Sequence, residues 1–249
     1  MGRRSEKIKG RKEAQNKMKT KIFSLIGKKI VAAVRKGGKD PSSNKDLQVA
    51  LDLARRYNYS KENIQRSIAK ADNSDESNYK QVIFELYGWG GVGILVETWT
   101  DNLNRTSGDI RAIANKHGVK LAEPGSLSFK FVKKGQIVLR NEDEAIEDQL
   151  LLDVAEAGGE DCVKTWQHNL ETENDSVVFQ IFCDPKSLDA VASFLHSRNY
   201  KEMEKDFVYV PLSYVECDAE SLAANRKIIE MFEEMDDVET VYTDMKENE

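Results

Sequence analysis

Cysteine is scarce in this chain: three occur in 249 residues. Cys162, Cys183 and Cys217 are odd in number, widely spaced and lack a C-x-x-C pair, so neither a disulfide framework nor a zinc ligand set is expected. Buried thiols are the expectation. Histidine is equally sparse, and His117, His168 and His196 lie far apart, outside H-E-x-x-H and outside any Ser or Cys nucleophile context. Long apolar runs are missing too. The longest are strand-sized, far short of the roughly 20 residues that a membrane-spanning helix needs. The basic start MGRRSEKIKGRKEAQ has no apolar stretch behind it and runs directly into a helical pattern, unlike an export signal or a Ser-rich transit peptide. A soluble cytoplasmic protein with no membrane partner, no metal and no cofactor is therefore expected. With 40% hydrophobic residues, the chain can build one large core or two to three small ones.

Charge is abundant and segregated. Residues 1–70 hold 20 Lys+Arg against 6 Asp+Glu, while the whole chain holds 37 against 43. A basic head thus precedes an acidic body. A local positive field of this kind attracts phosphate, and acidic surfaces elsewhere limit indiscriminate adhesion, so a polyanion is the expected partner of the head. Arg3, Arg4, Lys7, Lys9, Arg11 and Lys12 are the first candidates for phosphate contacts. Lys17, Lys19, Lys21, Lys28, Lys29 and Arg35 are the neighbouring ones.

Periodicity divides the chain. From Lys21, KIFSLIGKKIVAAVRKGG places Ile22, Phe23, Ile26, Ile30, Ala33 and Val34 on one helical face and stops at Gly37-Gly38. A second helix carries Leu47, Ala50, Leu51 and Ala54, and a third, capped by Ser60, carries Ile64 and Ile68. Residues 71–78 are polar and aperiodic, a linker. Strands are expected at 82–87 and 94–99, a helix after the capping residues of DNLNRT, and a strand at SLSFKFV, residues 126–132. A second unit follows: a strand at 135–139, a helix at 143–157, a strand at 177–182, a helix after Pro185 and a strand at 207–210. The tail supplies a helix at about 221–235 and a strand at 238–242. Because the first α+β block lacks a second helix and a last strand, the tail is expected to complete it. The expected organisation is a basic helical domain at 1–72, an α+β domain from 79–134 with 206–249, and an inserted α+β domain at 135–205.

The stretch YGWGGVG, residues 87–93, contains G-x-G-x-x-G, yet strand-like sequence flanks it on both sides. A pyrophosphate needs a helix N-terminus there, so the glycines are expected in a β-hairpin and not in a dinucleotide site. Trp89, between two glycines, is a candidate partner contact. Within DNLNRT, Asn102, Asn104 and Arg105 fit two readings, contacts to phosphates and the start of a helix. Phe23, Tyr57 and Tyr59 could stack on bases, although Phe23 falls on the apolar stripe. The acidic clusters Glu142-Asp143-Glu144 and Glu233-Glu234 are read as solvated surface, not as catalytic or Mg²⁺-binding pairs.

The runs KIFSLIGKKIVAAVRKGGKDPSSN, NYSKENIQRSIAKA, VIFELYGWGGVGILVETWTDNLNRT and IRAIANKHGVKLAEPGSLSFKF, with the acidic C-terminal helix and its closing strand, resemble the YebC family. That family comprises bacterial regulators and the mitochondrial translational activator of cytochrome c oxidase, and the resemblance covers nearly the whole chain. It implies a multidomain α+β fold: an N-terminal three-helix domain and two ferredoxin-like α+β domains, the third inserted in the second. It also implies a non-enzymatic regulator that binds either promoter DNA or ribosomal RNA on the ribosome, where relatives ease stalls at proline-rich sequences. A monomer is expected. The rival class is a protein-interaction module whose basic head meets an acidic protein. The chain departs from the family at its start, where Gly2-Arg3-Arg4-Ser5 stands in place of A-G-H-S, and at Trp89, where proline is usual.

Overall fold

The computed structural model describes residues 2–72, 78–140, 146–168, 175–200 and 203–247, without the side chains of residues 2–15, 167, 168 and 175. The element order is α1 (Gly2–Gly37), α2 (Lys45–Arg56), α3 (Lys61–Lys70), β1 (Lys80–Tyr87), β2 (Gly93–Thr100), α4 (Leu103–Lys116), β3 (Lys120–Leu121), β4 (Phe131–Arg140), α5 (Glu147–Ala157), β5 (Asp161–His168), β6 (Asp175–Cys183), α6 (Leu188–Ser197), β7 (Met203–Pro211), α7 (Ala219–Glu233) and β8 (Val238–Thr243). The chain separates into two compact units, 1–127 with 213–249, and 128–212. Among the described residues no helix is long and apolar enough to cross a membrane, and no group of metal-binding side chains occurs.

The first unit holds two cores. In the helical head, Ile26, Ile30, Ala33 and Val34 of α1 meet Leu47, Ala50 and Ala54 of α2, with Ile64 and Ile68 of α3 beside them. The stripe read from the sequence is this core. The helix itself is longer than expected, because α1 spans 36 residues and begins at Gly2, not near Lys21. Residues 2–20 are rich in good helix formers but carry no apolar stripe, so periodicity could not register them. One buried side chain joins α1 to α2. Asn44 Oδ1 accepts from Leu47 N at 3.1 Å as the N-cap of α2, while its Nδ2 donates to the carbonyls of Ala33 and Gly38, each at 2.8 Å. Both ends of this turn therefore depend on one amide. Asn44→Ala is expected to cost about 1–3 kcal/mol in urea denaturation, since it removes a cap and the side-chain donor that the Ala33 and Gly38 carbonyls share.

The second core of this unit lies under a four-stranded antiparallel sheet of order β3-β1-β2-β8. Phe84 and Leu86 of β1 and Ile94 and Val96 of β2 pack on Ile110 and Ala114 of α4 and on Ile228 and Phe232 of α7. The tail thus completes the outer domain, with Val96 of β2 opposite Val241 of β8. The Gly-rich stretch is a hairpin, in register Leu86 to Ile94 and Tyr87 to Gly93. Its turn needs glycine at two positions, Gly90 (φ 70°) and Gly91 (φ 80°).

Of the strand expected at 126–132, only Phe131 and Val132 are extended, as the start of β4. Residues 124–130 are turns, because the Glu85 carboxylate accepts the main-chain amides of Gly125 and Leu127 at 2.6 and 2.5 Å and pulls that segment away from a ladder. Leu127 is buried there and Phe129 is 68% exposed.

The inserted unit has the order β5-β6-β4-β7, the arrangement of a split βαββαβ, with α5 and α6 on one face. Its core comprises Ile137, Leu139, Phe179 and Ile181 against Leu150, Val154, Val191 and Leu195. In the outer sheet, by contrast, the hairpin directly joins the two central strands, so its connectivity differs from that of the insert. Strands β3 and β5 have no counterpart among the elements expected from sequence. β5 is an edge strand of mixed polar residues, DCVKTWQH, and presents no apolar alternation. Residues 73–77 of the linker expected at 71–78, the cluster Glu142-Asp143-Glu144 and the His168 side chain fall outside the described residues.

Candidate nucleic-acid interface

Arg3, Arg4, Lys7, Lys9, Arg11 and Lys12 lie on the first turns of α1, and their side chains are outside the described residues. Residues 16–20 are all exposed. Lys17 reaches Glu234 at 3.1 Å, both side chains being about two-thirds in water (66% and 68%), a contact of the kind that adds little stability and screens readily in salt. Lys19 stands over the ring of Phe23 at 5.7 Å. Phe23 in turn meets Tyr59 edge to face at 5.2 Å. Phe23, Tyr57 and Tyr59 all line the head core, so the aromatic rings weighed as base-stacking groups are engaged in packing.

Further along α1 the cations turn inward, onto the acidic segment between α7 and β8. Lys21 donates to the main-chain carbonyl of Glu233. Burial dominates both ionisable groups there, pushing the Lys21 ammonium down and the Glu233 carboxyl up. Lys28 is buried, and its ammonium donates to Asp237 Oδ1 at 2.6 Å, to the Asp236 carbonyl at 2.9 Å and to the Trp99 carbonyl at 3.3 Å. All three ammonium hydrogens are thereby used. Lys29 pairs with Glu239 and lies 5.8 Å from the centre of the Trp99 ring. Arg35 donates to the Ala71 carbonyl at 3.3 Å. Lys28, a candidate phosphate contact by sequence, is thus engaged inside the fold. A buried cation with three internal acceptors would have to leave the protein to meet a ligand.

Asp237 is the hub of this contact and was not singled out from sequence. Its Oδ2 accepts from Arg105 at 3.0 Å and from the Thr106 hydroxyl at 2.7 Å, while Oδ1 takes Lys28. Burial alone would raise this carboxyl, but the hydrogen bonds from Lys28, Thr106 and Arg105 outweigh it and hold it below its ordinary value. Two side chains of the DNLNRT segment serve the start of α4. Asn102 Oδ1 accepts from Arg105 N at 3.1 Å as the N-cap of α4. Arg105 bridges Asp101 at 2.8 Å and Asp237. Thr106 is buried and also bonds Thr100 at 2.7 Å. Asn104 is exposed on the first turn. The same acidic segment neighbours Glu97 on the sheet: burial first and Glu239 second raise its carboxyl, against hydrogen bonds from Tyr242 and Gln81.

Trp89 is pinned by main chain and ring together. Asn225, fully buried on α7, accepts from Trp89 N at 2.8 Å and donates to Trp89 O at 3.0 Å. The indole Nε1 donates to the His117 carbonyl at 3.0 Å, and the ring closes over Gly118, where a Cβ would lie 2.8 Å from it. Even so, 46% of the residue stays exposed. Gly88 has no room for a side chain either, since its Cβ would lie 2.6 Å from Asn225 Oδ1. Asn225→Ala should cost about 1–3 kcal/mol, because it leaves the Trp89 amide without its acceptor and takes one of two donors from the Trp89 carbonyl. Chemical denaturation followed by tryptophan fluorescence would measure it.

None of these groups forms a nucleophile–base pair or a ligand cluster. The cysteines carry no activation: burial raises the Cys162 thiol to about 11 and also pushes Cys183 and Cys217 up, the reverse of what a reactive thiolate requires.

Comparison with known proteins agrees with the architecture. Residues 3–74 match the TACO1/YebC protein N-terminal domain, and residues 79–245 match the TACO1/YebC second and third domain. A probable transcriptional regulatory protein of Chlamydia muridarum is 41% identical over 239 residues, covering 95% of each chain. One of Protochlamydia amoebophila is 42% identical over 239 residues, covering 96% of this chain and 93% of its own. A crystal structure of a conserved hypothetical protein from Aquifex aeolicus superposes with a TM-score of 0.79 at 31% identity, over 92% of this chain and 91% of that one. With both family domains matched in order and relatives similar along nearly their whole length, the chain belongs to the TACO1/YebC family.

Proposed function

We propose that the chain is a non-enzymatic, cytoplasmic regulator of gene expression that binds nucleic acid through the N-terminal half of α1. One observation carries this reading: α1 is a single helix of 36 residues that bears 13 Lys+Arg against 2 Glu, a rod of about 54 Å whose apolar stripe begins only at Ile22. Arg3, Arg4, Lys7, Lys9, Arg11 and Lys12, with Lys17 and Lys19, grip phosphates. Lys28, and with it Lys29, instead holds α1 to the acidic segment 233–239. The names of the relatives, probable transcriptional regulatory proteins, support a regulatory role. No recognition helix of the helix-turn-helix kind is identifiable from the sequence, so recognition by shape and phosphate pattern fits better than base readout, and RNA better than DNA. Trp89 and Asn104 are exposed points for a secondary contact.

Ultraviolet crosslinking in living cells, with sequencing of both attached nucleic acids, tests the proposal. Enrichment at discrete ribosomal RNA positions would place the protein in translation, and enrichment at a few promoters would place it in transcription. If nuclease treatment left the crosslinked partners intact, the partner would be an acidic protein and the proposal would fail.

A further inference from the structure

The inserted unit carries an aromatic surface that neither its core nor the basic helix uses. From residue 126 to 140 the sequence has four Lys+Arg and no Asp or Glu, an exception within the acidic body. Two of these cations are internally paired, Lys134 with Glu160 and Arg140 with Glu204. Lys133 is different. It sits opposite Tyr209 in the β4–β7 ladder, two pairs from Gly135 opposite Phe207, so Lys133, Tyr209 and Phe207 project from one face of the sheet. Its ammonium lies 5.2 Å from the centre of the Phe207 ring and 5.8 Å from that of Tyr209, and it has no carboxylate partner among the described residues.

The core ends beneath this point: a Cβ on Gly135 would lie 3.0 Å from Cys183 Sγ and 3.1 Å from Leu188, whereas Phe207 is 45% exposed. Two further exposed apolar residues, Phe129 (68% exposed) and Leu212 (66% exposed), lie past the ladder's end, where Leu212 N donates to the Lys130 carbonyl at 2.9 Å. An exposed aromatic ring next to a cation that has no carboxylate partner among the described residues marks a binding surface.

We propose that Phe207 and Tyr209 are a stacking platform for unpaired bases of single-stranded RNA, with Lys133 taking the adjoining phosphate. The inference rests on the reading of the chain as a nucleic-acid binder, but not on α1 as the element that grips. Two ring faces and one cation match the π-face and phosphate of a single nucleotide. An acidic peptide would satisfy Lys133 and leave both rings without a partner, and duplex DNA keeps its base faces inside the stack. When a base occupies the rings, the ammonium moves from above them to the phosphate.

The test uses the full chain and a fluorescein-labelled oligoadenylate of about 10 nucleotides, within the span of known single-strand sites. Phe207→Ala and Tyr209→Ala should each weaken binding about 5- to 150-fold with an unchanged salt slope, and Phe207→Trp should retain it. Lys133→Met should reduce the slope by about 0.7, the loss of one phosphate contact. An oligonucleotide carrying 4-thiouridine should crosslink within residues 203–211.

Unaltered affinity in the Ala variants, or crosslinks confined to residues 1–40, would overturn the platform and leave the basic helix as the binder. Failure of the wild-type chain to bind the oligonucleotide while it still binds folded RNA would have the same meaning. Failure to bind either RNA would overturn both proposals. Lys133-dependent binding of polyglutamate without oligonucleotide binding would assign the surface to an acidic protein and overturn the RNA assignment. Should Tyr209→Ala melt the unit, Phe207→Ala, at an exposed edge position, decides alone.

Discussion

Asp237→Ala is expected to destabilise the chain by about 3–5 kcal/mol, the range for removing one partner of a buried pair. The variant strands the Lys28 ammonium, whose side chain is only 10% exposed, together with the Thr106 hydroxyl, and takes one of the two carboxylates from Arg105. Asp237→Leu combined with Lys28→Met should recover most of the loss, because a buried ion pair replaced by apolar groups of similar volume leaves no unpaired charge. Urea denaturation of wild type, Asp237→Leu, Lys28→Met and the double variant measures the coupling directly. If Asp237→Ala cost less than about 1 kcal/mol, the pair would be no more than a surface contact. The pH dependence has a definite sign. The folded protein holds this carboxyl below its ordinary value of 3.8, so the unfolded chain takes up its proton first. Stability from Asp237 is complete above that value and is lost as pH falls through the depressed one.

Charge reversal at the start of α1 is the second large expectation, and it acts on binding instead of stability. Changing Arg3, Arg4, Lys7 and Lys9 together to Glu should reduce the slope of log affinity against log salt by about 3–4, since each lost phosphate contact is worth about 0.7–0.9. Affinity at low salt should fall by orders of magnitude, while the denaturation midpoint stays within about 0.5 kcal/mol of wild type, as for most surface changes. Lys28→Met should do the opposite, lowering stability and leaving the slope unchanged. An unaltered slope in the quadruple variant would remove the N-terminal turns from the interface.

The parts that the sequence made legible are those whose cause is local. Ile26, Ile30 and Leu47 announce the head core by their spacing, and the strand-like flanks of YGWGGVG settle the hairpin against a nucleotide loop. Asn102 and Ser60 announce helix starts because a cap acts within three residues. What stayed hidden depends on partners distant in the chain. SLSFKFV alternates like a strand, yet Glu85, some 40 residues earlier, binds its amides and makes a turn. Asp237 reads as one acid among many until α1 and α4 bring Lys28, Arg105 and Thr106 around it. Asn225 looks like a solvated helix residue until it clamps Trp89, 136 positions away. Lys17, Lys21, Lys28 and Lys29 were read from sequence as one basic set. Folding divides them, because the half of α1 that packs on the body meets its own polyanion.

The closing strand β8 has a consequence for synthesis. Its place beside β2 means that the outer sheet, complete on one flank once β3 has emerged, keeps the other flank of β2 open while about 120 further residues are made, roughly 6–24 s at about 5–20 residues per second. Through that interval Ile94 and Val96 lack the cover of Phe232, and β2 offers unpaired amides to any passing strand. The inserted unit, whose strands all lie between residues 131 and 211, can finish folding within the same interval. The nascent chain thus acquires its middle before its frame, and the growing polypeptide is most exposed to mispairing between release of the insert and arrival of residue 243.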